Sequence, residues 1–113
     1  MHEYAIVQAL LERAEAEARA RGATAVRRLH VAVGELAGVA PALLSAAYEI
    51  LRAPTLCARA ALDVRHVPAR WECPACAAPV ARGAVLACPT CAAPARLAAG
   101  DEIVLERIEM EVP

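Results

Sequence analysis

Two Cys-Pro-X-Cys turns, at Cys73 to Cys76 and Cys88 to Cys91, stand eleven residues apart in the last third of a 113-residue chain. Two residues between cysteines let one turn present two sulfurs to the same ion. A hairpin of this length brings a second such turn to the ion's other side. The spacing therefore predicts one tetrahedral site built from Cys73, Cys76, Cys88 and Cys91. Four thiolates suit zinc, or iron in a rubredoxin-like alternative. With every position filled by sulfur, no place remains for a catalytic water, so the site reads as structural.

The segment holding these turns, residues 70–99, cannot fold on its own apolar surface. Its sizeable apolar groups are Trp71, Val80, Val85, Leu86 and Leu97. Ordering each residue costs roughly 1–2 kcal/mol in backbone entropy, far more in total than so few side chains return. Bound zinc contributes on the order of 10 kcal/mol in isolated finger peptides, enough to make the segment's folding depend on its metal. Ala77 and Ala92 follow the second cysteine of each turn, where glycine often relieves left-handed backbone strain, so some strain is expected there.

Outside the insert, periodicity predicts the remaining elements. Val7, Leu10, Leu11, Ala14 and Ala18 fall at helical spacing, and Gly22 supplies a stop. Leu29, Val31 and Val33 alternate as a strand. Pro41 suits the start of a second helix striped by Leu43, Leu44, Ala47, Tyr48 and Leu51, and a second strand spans Leu62 to Val67. A third runs from Asp101 to Val112 with Val104, Ile108, Met110 and Val112 in one phase, interrupted at Glu106, which could mark a bulge. The expected fold is α+β: a small three-stranded sheet with two helices and a four-cysteine knuckle inserted before the last strand. Residues 1–69 and 100–113 form the main unit and 70–99 the zinc-binding subdomain, and the two strands flanking the insert are expected to pair.

Composition narrows the function class. The hydrophobic fraction is 59%, but thirty residues are alanine, so the core is small. No apolar run reaches the roughly 18 residues that a membrane span needs, and charges interrupt the first twenty positions, so no membrane partner is expected and the chain reads as cytoplasmic. In that reducing setting, close cysteine pairs favour metal over disulfide. The twelve cations are all arginine and are scattered among thirteen carboxylates. This pattern does not suit a nucleic-acid binder. Cys57 stands alone and reads as a small buried hydrophobe. His30 and His66 read as packed or surface histidines.

The amino terminus adds a second chemistry. In Met1-His2-Glu3, the terminal amine, the His2 backbone nitrogen and its imidazole can close fused chelate rings on one ion, a set suited to square-planar Ni(II) or Cu(II). The bulk of His2 is expected to keep the initiator methionine in place.

MHEYAIVQALLE at the start, VAVGELAGVAP, the CPAC and CPTC pair and a closing I-x-M-E-V strand together resemble the HypA/HybF family of hydrogenase maturation proteins, across essentially the whole chain. The resemblance implies a nickel metallochaperone rather than an enzyme. It would carry Ni(II) as transient cargo toward the nickel-iron hydrogenase large-subunit precursor and work with a maturation GTPase, with a homodimer left open. By position, His2 would be the essential nickel ligand, assisted by backbone nitrogen of His2 and Glu3, with the Glu3 side chain one candidate for a further ligand, while Cys73, Cys76, Cys88 and Cys91 hold structural Zn(II). Two features depart from relatives. Ala40 stands where relatives carry a carboxylate, leaving Glu3, Glu35 or water as the remaining nickel ligand, and no histidine adjoins the zinc cysteines. The competing reading is a zinc-ribbon adaptor that binds protein or RNA and ignores nickel.

Overall fold

The structure, a computed structural model, describes residues 2–83 and 85–113, with the His2 side chain outside the described set. Helix α1 (His2–Ala20) buries Val7, Leu11, Ala14 and Ala18, a stripe at helical spacing. It ends at Gly22, whose φ of 68° lets the Ala23 N–H reach the Ala18 carbonyl at 2.9 Å. Strand β1 (Ala25–Gly34) follows, and then α2 (Pro41–Leu51), which opens on its proline without a side-chain cap from Ala40. Leu44, Ala47 and Tyr48 of α2 complete the core, where the Tyr48 hydroxyl donates to the Ala60 carbonyl at 2.8 Å. Burial pushes the Tyr48 hydroxyl and the fully buried Cys57 thiol above their ordinary pKa values. Cys57 is thus the small core residue expected.

β2 (Ala61–Val67) runs parallel to β1, and the last strand, β6 (Ile103–Glu111), runs antiparallel to it, giving the order β2-β1-β6. The strands flanking the insert therefore do not pair with each other, contrary to the expectation from their order. The helical crossover through α2 places β2 beside β1, and β6 takes the other side of β1.

Both bulges reset the side-chain phase. Arg27 is the extra residue between Val26 and Arg28, which is why Val26 and Leu29 are both buried. On β6, His30 faces Arg107 and Val31 faces Leu105, leaving Glu106 as the extra residue. Its position as a bulge agrees with the sequence, but the phase does not. Ile103 and Leu105 join Ile108 and Met110 against the core, while Val104 and Val112 are exposed.

Between β2 and β6 the insert forms its own sheet in the order β4-β3-β5, from β3 (Arg70–Glu72), β4 (Pro79–Val80) and β5 (Arg96–Ala99). Trp71 sits opposite both Val80 and Leu97. The insert's core is Cys73, Val80 and Cys88 with Trp71, Ala93 and Ala95 packed around them, and Val85 and Leu86 are left exposed. The base of the insert closes tightly on β1: a Cβ on Gly34 would lie 2.3 Å from the Gly100 oxygen, and Gly100 itself has φ +102°. The Leu36 N–H donates to the Gly100 carbonyl at 2.7 Å and the Glu35 N–H to the Val67 carbonyl at 2.8 Å.

Candidate metal centre

The two cysteine turns fold alike. Cys73 N–H donates to the Ala78 carbonyl at 2.9 Å and Ala77 N–H returns to the Cys73 carbonyl at 2.8 Å; Cys88 with Ala93 and Ala92 repeats both bonds at the same lengths. Each turn closes through a left-handed alanine, Ala77 at φ 61° and Ala92 at φ 56°. The left-handed conformation expected at these alanines is present, and it turns the chain so that the Ala78 and Ala93 carbonyls meet the Cys73 and Cys88 amides. An amide of each turn also approaches its first sulfur at 3.4 Å: Ala75 N–H toward Cys73 Sγ, and Cys91 N–H toward Cys88 Sγ.

The four sulfurs converge. The ligand atoms of Cys73, Cys76, Cys88 and Cys91 all lie within 4.8 Å of one another, and Cys76 Sγ is 3.8 Å from Cys88 Sγ. A tetrahedral zinc with bonds of about 2.3 Å separates its sulfurs by about 3.8 Å, so the spacing between the two turns matches one edge of such a site. Cys73 and Cys88 are buried while Cys76 and Cys91 are exposed.

Electrostatics also call for a cation. Backbone N–H groups of Cys91 and Thr90 lower the Cys88 thiol to about 7, whereas the sulfurs of Cys76 and Cys73 raise that of Cys91 to about 12. Like charges this close cannot all ionise unaided. A divalent ion at their centre would supply the opposing charge and could hold all four as thiolates. Among the described residues, no other set of histidine, cysteine and carboxylate side chains draws together in this way.

The nickel set inferred at the amino terminus, the Met1 amine with the His2 imidazole, lies outside the described residues. The His2 backbone begins α1 and Glu3 falls in its first turn. Ile6 and Ile103 line one groove, and Ile103 pairs with Val33 next to Gly34. The start of α1 therefore lies toward the end of the sheet that carries the insert. Glu35 is already engaged: its Oε1 accepts the Ala69 N–H at 2.8 Å and the Arg82 guanidinium at 2.5 Å. His30 Nε2 sits 2.6 Å from Glu109 with Asp63 at 3.6 Å from Nδ1, and His66 is exposed on β2, so neither joins the cysteines. Sequence reasoning did not find Arg82, an arginine in the loop that follows β4, whose partner lies 47 positions away.

Comparison with known proteins extends beyond the cysteines. The model of a family described as "Hydrogenase/urease nickel incorporation, metallochaperone, hypA" matches residues 1–110. Among curated proteins, the hydrogenase maturation factor HypA of Wolinella succinogenes is 39% identical over 114 residues, covering 98% of this chain and 96% of that one. That of Shewanella oneidensis is 37% identical over 113 residues with the same coverage. A solution structure of the Ni metallochaperone HypA from Helicobacter pylori aligns with TM-score 0.74 and 27% identity over 98% of both chains. Another, titled as HypA protein, reaches 0.82 at 26% identity over 100% of this chain and 98% of its own. A chain that shared only a zinc ribbon with these proteins would match at the insert alone.

Proposed function

The chain belongs to the HypA family of nickel-incorporation metallochaperones, and on that premise we propose that it carries Ni(II) at its amino terminus for hydrogenase maturation while the four-cysteine insert holds a structural zinc. The family match through residues 1–110 carries this reading, because it includes the terminus as well as the cysteines. Cargo nickel binds to His2 through its imidazole and backbone nitrogen and to Glu3 through its backbone nitrogen, with the terminal amine or the Glu3 carboxylate completing the set.

Placement in α1 supports the chemistry. The first backbone N–H groups of a helix have no acceptor within it, so amides at His2 and Glu3 can release their protons to solvent and bind nickel without breaking a helical hydrogen bond. The positive end of the helix opposes a bare cation, and ionised amide nitrogen offsets that opposition. A site open to solvent at a chain end suits reversible transfer.

Zinc, when bound to Cys73, Cys76, Cys88 and Cys91, supplies folding energy to residues 70–99, which we treat as a subdomain of the unit formed by 1–69 and 100–113. The protein acts as a carrier rather than a catalyst. Its partners are the nickel-iron hydrogenase large-subunit precursor and a maturation GTPase, in the cytoplasm. Nickel titration of untagged protein against the His2→Ala variant tests the proposal: loss of binding in the variant supports it, and equal binding refutes it.

A further inference from the structure

The main sheet ends at β6 on the side of α1. Order β2-β1-β6 makes β6 an edge, and among the described residues no strand lies beyond it. A groove runs between this edge and α1. One stretch, about 330 Å³, is lined by Ile6, Leu10, Ile103 and Leu105, and it continues past Arg13 into a second, about 260 Å³, that reaches Ile108 and Met110. These six side chains pack against the core yet remain half-exposed, because nothing covers them from the open side.

Charge along the groove has a definite sign. Its two carboxylates are committed, Glu17 to Arg21 at 2.5 Å and Glu106 to Arg65 at 2.8 Å. Arg13 and Arg107 line the same groove and make no ion pair among the described residues. An exposed strand edge offers a row of main-chain donors and acceptors to any extended chain.

We propose that the α1–β6 groove binds an extended segment of a partner protein, which adds as a fourth strand beside β6 with apolar residues under α1 and carboxylates beside Arg13 and Arg107. A second copy of this chain fits poorly. In a two-fold antiparallel pairing about the middle of β6, Arg107 would face Arg107, and directly opposed like charges are destabilising. One added strand also covers far less than the ~800 Å² per partner of a standard stable interface, which suits a transient encounter. The groove shares no residue with the metal sites, so this inference and the nickel reading can fail separately.

The test uses full-length protein and a capped heptapeptide of alternating glutamate and valine, with a lysine-for-glutamate version as control. Amide chemical shifts and hydrogen exchange are followed by NMR. The glutamate peptide should shift and protect amides of residues 103–110, and Arg13→Glu and Arg107→Glu, both at exposed positions, should each weaken it by about fivefold while the shifts of the core stay in place. Equal binding of the lysine peptide, shifts mapping elsewhere, or absence of any shift would overturn the proposal. So would concentration-dependent protection of β6 without peptide, which would assign the groove to a second copy.

Discussion

Arg82 and Glu35 join the insert to the main sheet through a single oxygen: Glu35 Oε1 accepts the Arg82 guanidinium at 2.5 Å and the Ala69 N–H at 2.8 Å. Ala69 sits just before β3 and Arg82 just after β4, so one carboxylate ties both ends of the β3–β4 pair to the segment that follows β1. Both donors, Arg82 first, hold the Glu35 carboxyl below the ordinary carboxylate range. The ion pair is exposed, so it orients the insert more than it stabilises the fold.

Glu35→Gln and Arg82→Ala should therefore leave the amide shifts of the main sheet in place while residual dipolar couplings of the insert average toward zero. A folded-state pKa below the unfolded value means the contact contributes fully above about pH 4.3 and is lost as pH falls through the lowered value. The wild-type insert should loosen on acidification in that window, and Glu35→Gln should abolish the dependence. Unchanged couplings in both variants would show that the glycine contacts at Gly34 and Gly100 hold the insert alone.

Removing a single sulfur should unfold the insert without unfolding the sheet. Cys73→Ala or Cys91→Ala is expected to lose the zinc, about one ion per chain, along with dispersion of the amide signals of residues 70–99. The core around Leu29, Leu44 and Tyr48 stays intact because it shares no side chain with the insert's small cluster. Full zinc retention after loss of any one of the four cysteines would remove the assignment.

Replacing the strained alanines should help. Ala77 and Ala92 sit at φ 61° and 56°, where glycine avoids a penalty of roughly 1 kcal/mol. Ala77→Gly and Ala92→Gly should each make zinc several-fold harder to extract with a chelator. Faster extraction would mean that unfolded-state entropy outweighs the strain.

The zinc shell should not change with pH between 6 and 7.5. His30 is engaged by Glu109 and Asp63, His66 is exposed on β2, and no histidine joins the four sulfurs. Zinc-edge absorption should show only sulfur at both values; nitrogen at pH 6 would require a histidine to move in.

Much of this was legible in the sequence for reasons of period and spacing. The stripe of Val7, Leu10, Leu11, Ala14 and Ala18 and the alternation of Leu29, Val31 and Val33 are local signals, and the structure buries all of them except Leu10, which is only partly covered at the edge of the core. The four cysteines were found by spacing because two short turns can meet around only one ion. Strand order was misread because chain order does not say which side of β1 each neighbour takes. On β6, the bulge at Glu106 was visible as a break in alternation, but which half of the strand changed face was not, so Val104 was placed inward in place of Leu105. Arg82 with Glu35 left no trace, since exposed ion pairs between distant residues follow no period. The short strands Pro79–Val80 and Arg70–Glu72 are likewise below the length at which alternation can be read.

The central claim, nickel held at the amino terminus apart from zinc, is tested most directly by calorimetric titration of Ni(II) into untagged, zinc-loaded protein at pH 7.5, with nickel-edge absorption of the product. About one nickel per chain should bind through nitrogen and oxygen, zinc should remain in place, and His2→Ala or residues added before Met1 should weaken binding by more than about 100-fold. Affinity should fall between roughly pH 7.5 and 6 as protons compete for the imidazole and the amides. Nickel bound mainly to sulfur, or undiminished binding in the His2→Ala protein, would contradict the account.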